Sequence, residues 1–276
     1  MDSIVDKAML NQTRYETERE NGQRNRYVFL HELCSQTTDR IKMRAELLNI
    51  LLAGRDTTAS LLSNVWFELS RRPAIWSRLR REVDALNGEL PTFEMLKEMK
   101  YLRAILNESL RLYPIVPENG RQAVQDTILP VGGGVDGQSP ILVKKGQMVH
   151  WSLWTMHRRK DIYGEDAEEF KPERWLDEDG RKGLRVGWEY LPFNGGPRIC
   201  IGREYCSSRI FKTRFCGMGW LTQVEQFALM ETSYVTVRLM QEFEEIESWD
   251  PEPWRERLSL TCTGLGGCKV VLTPKA

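Results

Sequence analysis

The chain has 276 residues, and its 39 Lys and Arg are balanced by 39 Asp and Glu, with three His. The cancelling charge leaves no electrostatic footprint for nucleic acid, while 41% aliphatic, aromatic and Cys residues with 21 Gly exclude a disordered, collagenous or coiled-coil chain. The longest apolar stretch, around Leu47–Ala53, is far below the ~20 residues of a membrane span, and six Cys with no Cys-x-x-Cys pair exclude a zinc ribbon, a c-type heme attachment or a disulfide scaffold.

Residues 1–37 are polar, with a charged stretch from Tyr15 to Gly22. They predict a helix, a loop and a short helix. Met1-Asp2-Ser3-Ile4-Val5-Asp6 has no basic segment ahead of an apolar one, so it does not read as a signal peptide. From about Thr38 to Arg71 apolar residues recur at helical spacing, at Ile41, Ala45, Leu48 and Leu52, then Ala59, Leu62, Val65 and Leu69. Pro73 closes this long helix. A second helix is expected over about Ala74–Leu86. A short one follows Pro91-Thr92, with Thr92 as its cap. Another spans about Tyr101–Leu112 and stops at Pro114.

Thr127–Leu129, Ile141–Val143 and Met148–Trp151 then read as short strands between turns rich in Gly. Residues 160–200 are expected to be mostly irregular, and a long stretch of that kind is functional or disordered. A helix fits Gln226–Phe243. Two last strands are expected at Leu258–Cys262 and Lys269–Leu272. The Met and Trp residues are assigned to core. The fold class is mainly α with small β-sheets.

The strongest chemical signal is Phe193-Asn194-Gly195-Gly196-Pro197-Arg198-Ile199-Cys200-Ile201-Gly202, with the pattern Phe-x-x-Gly-x-Arg-x-Cys-x-Gly. A thiolate can bind heme iron axially and push electron density toward it. Such a sulfur needs backbone N–H donors and a helix N-terminus to stay ionised. Glycines let a loop approach a flat ligand, and an arginine can pair with a propionate. A lone cysteine in such a turn would be structural; the complete pattern favours the ligand.

This segment resembles the heme-binding loop of the cytochrome P450 family, the heme-thiolate monooxygenases. Three other motifs agree in order and spacing. Ala53-Gly54-Arg55-Asp56-Thr57-Thr58 resembles the family's oxygen-activation motif in its long central helix. The resemblance implies that Thr57 and Asp56 relay protons and that Gly54 leaves room for dioxygen and water. Alone, the motif is equally an ordinary helix with a Thr pair. Glu108 and Arg111 stand at i,i+3 on one helix face. By themselves they are a surface ion pair worth ~0–1 kcal/mol. In the family such a pair is buried and joined by an arginine from a Pro-Glu-Arg segment, here Pro172-Glu173-Arg174. The implied role of Glu108, Arg111 and Arg174 is structural. Arg121, after Pro114-Ile115-Val116-Pro117, matches a second propionate-binding arginine; a solvated strand-end arginine is the other reading. His157 reads as a hydrogen-bonding structural residue rather than an iron ligand.

The finer resemblance is to fungal hydroxylases of alkanes and fatty acids. It rests on Leu52-Ala53-Gly54-Arg55-Asp56-Thr57-Thr58, on Met156–Gly164 and on the Cys200 string. It implies heme b (iron protoporphyrin IX) held by Cys200, with Arg198, Arg121, Phe193 and Gly202 around it. It implies a monooxygenase that inserts one atom of O2 into a C–H bond of a lipophilic substrate. Electrons come from NADPH through NADPH-cytochrome P450 reductase. The implied location is the endoplasmic reticulum membrane. The alternatives are a truncated, non-catalytic fragment and a heme-binding protein without turnover.

Two departures stand out. The chain opens just ahead of the oxygen-activation helix, so residues 1–276 are expected to form a partial domain, the C-terminal portion of the family fold, without its anchor. After Gly202-Arg203 the family continues directly into a helix, which here resumes only at Gln226-Phe227-Ala228. The intervening 22 residues, Glu204 to Glu225, have no clear period. They suit an in-frame retained intron: Arg203-Glu204-Tyr205 can be encoded with a GTGAGT donor and Val224-Glu225 with a TAG acceptor. A surface loop is the alternative, since loop insertions cost little. Mature transcripts that all keep the segment would reject the intron.

Overall fold

The computed structural model describes residues 1–21, 29–177, 183–201, 227–259 and 261–275. Two compact units are present, Met1–Asp56 and Thr57–Ala276. In the first, helices α1 (Asp2–Leu10), α2 (Gln12–Glu20) and α3 (Phe29–Gln36) precede the start of a long helix, α4 (Arg40–Arg71). Val5, Ala8, Tyr15 and Met43 are buried there. Tyr15 and His31 stack with ring centroids 4.1 Å apart. The α4 N-terminus is capped by Asp39, whose Oδ1 accepts from the Ile41 and Lys42 amides at 2.9 and 3.2 Å.

The second unit is built on α7 (Lys100–Leu112), which is buried at nearly every position from Tyr101 on. Its core joins Leu61, Val65 and Leu69 of α4, Leu79 and Val83 of α5 (Pro73–Asp84), Leu102, Ile105 and Leu106 of α7, and Val237 and Met240 of α10 (Phe227–Glu242). Pro73 does not merely end α4; it opens α5, where its missing N–H costs nothing. Thr92 caps α6 (Phe93–Glu98), accepting from the Met95 amide at 3.3 Å. Glu82 on α5 accepts from the Tyr101 and Leu102 amides at 3.0 and 2.9 Å. It thereby fixes the start of α7 through two otherwise orphaned donors.

Among the described residues the β part is four antiparallel pairs. Strand β1 (Glu118–Gln122) pairs with β4 (Met148–Ser152), and β2 (Thr127–Gly133) with β3 (Ser139–Val143). At the C-terminal end β5 (Phe243–Ser248) pairs with β8 (Val270–Pro274), and β6 (Glu256–Leu258) with β7 (Cys262–Gly264). The mainly helical class with small sheets is thus confirmed, but details depart: Trp188 and Trp249, assigned to core, are exposed, as is Met148. Leu258–Cys262 is not one strand. It is a tight reversal in which Leu258 faces Cys262 and the Ser259 amide bonds to the Thr261 carbonyl at 3.0 Å. Strand β1 lies in a segment to which the sequence assigns no element, because Glu-Asn-Gly-Arg-Gln has no alternating pattern and extends by pairing with β4. The apolar stripe of α4 is buried from Leu61 onward, whereas Ile41, Leu48 and Leu52 are exposed. Periodicity says which face is apolar, not whether that face has a partner.

The described residues of 160–200 are mostly irregular, as expected. Between β4 and residue 201 the described residues hold α8 (Leu153–Met156), α9 (Lys160–Tyr163) and 3₁₀ turns at Pro172–Trp175 and Gly196–Arg198.

Candidate functional site

Glu108 and Arg111 leave α7 on its fully buried face, both with no solvent exposure. Arg111 meets Glu108 bidentately, Nε to Oε2 at 2.9 Å and Nη2 to Oε1 at 2.8 Å. Its other N–H groups reach three carbonyls: His157 at 2.9 Å, Ala167 at 2.6 Å and Glu169 at 3.1 Å. All five donors of the guanidinium are used. Glu108 is matched as fully. It also accepts from Arg174 Nε at 3.1 Å, the Lys171 amide at 2.9 Å and Trp175 Nε1 at 2.9 Å. Arg174 then donates to the Tyr163 and Asp166 carbonyls and to the Asp166 carboxylate. Lys171 and Arg174 hold the Asp166 carboxyl below the ordinary carboxylate range. The structure therefore brings Glu108, Arg111 and Arg174 into one cluster. That cluster pins the irregular stretch at residues 157, 163, 166, 167, 169 and 171.

The same stretch leads to the Cys200 turn. His157 is fully buried, and its Nε2 accepts the Leu191 amide at 3.0 Å. The Leu191 carbonyl accepts the Asn194 amide at 3.0 Å, and the Phe193 carbonyl accepts the Cys200 amide at 2.8 Å. These bonds close a turn that places the exposed Cys200 beside the backbone of Phe193. Asn194 has φ of 60° and Gly196 of 68°. Left-handed backbone is tolerated by Asn and free for Gly, which is why this string needs those residues. A Cβ on Gly195 would meet the Trp188 ring at 2.5 Å. Asn194 Nδ2 also donates to Asn119 Oδ1 on β1 at 3.1 Å.

Arg121 and Arg198 converge on one cavity of about 270 Å³, together with Trp151, Trp188, Asn194 and Gly195. Arg121 lies over the Trp151 ring, 5.3 Å from its centroid. Phe193 packs its ring against the main core. Gly202 and the 204–225 segment lie outside the described residues. Asp56 and Thr57 are half-buried on α4, and neither lines that cavity. Asp56 Oδ1 accepts from Arg55 Nε at 2.7 Å. A Cβ added at Gly54 would meet nothing within 4 Å, so space does lie beside it. Thr58, next in the motif, is buried with its Oγ1 unpartnered.

Sequence reasoning did not find the link between His157 and the turn, or the Asn119–Asn194 bond. The Asn-Gly-Gly run signalled the turn, but nothing local signals a partner 34 positions away.

A family model described as Cytochrome P450 matches residues 5–211. The chain is 46% identical over 253 residues to Cytochrome P450 monooxygenase fsdH of Fusarium heterosporum, covering 91% of this chain and 40% of that relative. It is 50% identical over 249 residues to Cytochrome P450 52A5 of Candida maltosa, covering 88% of this chain and 42% of that protein. With Cytochrome P450 52A1 of Candida tropicalis it shares 47% identity over 269 residues, 95% of this chain and 44% of the relative. The chain thus spans about two-fifths of the length of the curated relatives it matches.

Proposed function

The chain belongs to the cytochrome P450 family, and we propose that it forms the heme-binding part of a monooxygenase acting on a lipophilic substrate, a long-chain alkane or fatty acid. The Cys200 turn carries this reading. One thiol stands on a closed, hydrogen-bonded turn, and two guanidinium groups face a cavity lined by that same turn. This donor set suits an iron centre that carries two carboxylates.

In this proposal Cys200 would hold the iron of heme b through its sulfur, and Arg198 and Arg121 would pair with the propionates. Phe193 holds the turn through its carbonyl and seats it on the core through its ring. Gly202 closes the sequence pattern that the family resemblance assigns to the heme site. Heme, when bound, supplies the iron that inserts one atom of O2 into a C–H bond and reduces the other to water. Electrons arrive from NADPH through NADPH-cytochrome P450 reductase. Thr57 and Asp56 hold and move protons toward the oxygen site. Glu108, Arg111 and Arg174 keep the stretch that presents Cys200. The substrate class rests on the sequence strings shared with fungal alkane and fatty-acid hydroxylases. The proposed workplace is the endoplasmic reticulum membrane, where such substrates concentrate; among the described residues no helix is long and apolar enough to cross it.

The test is the reduced carbon-monoxide difference spectrum of the chain loaded with heme. A red-shifted, thiolate-type Soret band is expected, and it should vanish in Cys200→Ala. Absence of the band, or a band that survives Cys200→Ala, overturns the reading.

A further inference from the structure

We infer that His157 is a positioning residue that couples the buried charge cluster to the Cys200 turn. The inference rests on the proposed role of Cys200 for its functional meaning, but its geometry stands alone. His157 serves both ends of the link. Its carbonyl accepts from Arg111 Nη1 at 2.9 Å, and its ring Nε2 accepts from the Leu191 amide at 3.0 Å. From Leu191 the path continues through the Asn194 amide to the turn closed by Cys200 N–H and Phe193 O. The neighbouring residues add flanking anchors. Tyr163 Oη donates to the Glu189 carbonyl at 3.0 Å, and Tyr190 Oη to the Asn107 carbonyl at 3.0 Å. The Tyr190 ring packs 5.1 Å from the His157 ring. Of these three anchors, only His157 takes hold of Leu191, whose own carbonyl receives the turn.

The ring chemistry fits an acceptor. An Nε2 that receives an amide proton must be unprotonated, so the neutral ring carries its proton on Nδ1. That Nδ1 is buried against the Arg111 and Leu110 backbone, which favours a proton there, though no contact reaches close hydrogen-bond geometry. Burying a polar ring costs free energy unless its nitrogens are used, and a purely space-filling role would be served by an apolar ring. What His157 provides that Phe or Leu does not is an acceptor at the Nε2 position.

The test is amide hydrogen exchange of the full chain, read at Leu191, Asn194 and Cys200, with the α7 amides as an internal reference. Gln and Asn separate the two ring nitrogens. Gln at 157 can place an oxygen near the Nε2 position, whereas Asn reaches only the Nδ1 position. His157→Asn is expected to speed exchange at Leu191 and Cys200 by about five- to tenfold relative to α7, the loss of one net hydrogen bond. His157→Gln is expected to hold both near the wild-type rate. Equal exchange in the two variants, or exchange that rises in step with α7, overturns the inference. The carbon-monoxide spectrum of the same variants keeps this separate from the heme assignment. Exchange that follows the expected order without any thiolate band would retain the positioning role and reject the heme reading; a thiolate band with unmoved exchange would do the reverse.

Discussion

Glu108→Ala is expected to destabilise the second unit by ~3–5 kcal/mol, because it strands a buried, uncompensated guanidinium. Five donors end on Glu108, from Arg111 twice and from Lys171, Arg174 and Trp175 once each. Arg111 has no exposure through which water could replace the carboxylate. Against a total stability of ~5–15 kcal/mol for an ordinary domain, this loss removes about a fifth of the margin or more. Urea denaturation followed by tryptophan fluorescence measures it. The internal contrast is Lys160–Glu165, a bridge of 2.9 Å between side chains that are 61% and 89% exposed. Lys160→Ala should change stability by no more than ~0.5 kcal/mol. A Glu108→Ala loss as small as that would mean that the cluster does not bear on the fold as its burial implies.

The second large effect is a response to acid that depends on one residue. Burial pushes the His157 imidazole down from its ordinary value of 6.5 to about 4, with Arg111 and Arg158 also disfavouring a second positive charge beside them. The folded state therefore prefers the neutral ring. Its stabilisation is complete above about pH 6.5 and is lost as the pH falls through about 4, where Nε2 gains a proton and opposes the Leu191 amide. Over that window the linked loss is on the order of 3 kcal/mol. Unfolding free energies of wild type and His157→Gln at pH 7 and pH 4 isolate it. Carboxylates such as Asp161, Asp166 and Glu189, held low by their own partners, are common to both proteins and cancel in the difference. The gap between wild type and variant should shrink by about that amount at pH 4. Parallel stability curves would show that the ring is not buried neutral.

Much of this arrangement was legible in the sequence because the signals are local. Thr92 before a short apolar run marks a cap, and the structure places its hydroxyl on the Met95 amide. Glu108 and Arg111 share a helix face by spacing alone. The Gly-rich string around Cys200 announces backbone that other residues adopt with strain. What the sequence hid depends on distant partners. Strand β1 carries Arg121 but has a composition that suits a turn, and pairing with β4 extends it. The reversal at Leu258–Cys262 is a two-strand contact inside what reads as one strand. Which α4 residues are buried, Met43 in the first unit and Leu61, Val65 and Leu69 in the second, is set by what packs on them, which no periodicity encodes.

The wiring of Arg111 also bears on how this region assembles. Its carbonyl partners lie 46, 56 and 58 positions downstream, and three donors to Glu108 lie 63, 66 and 67 positions away. Closing loops of that length costs entropy before any bond repays it. A half-built cluster is worse than none, since it dries a charge without pairing it. The region is therefore all-or-none: α7 can form early from local contacts, while the Cys200 turn takes its place only in the step that completes the charge cluster.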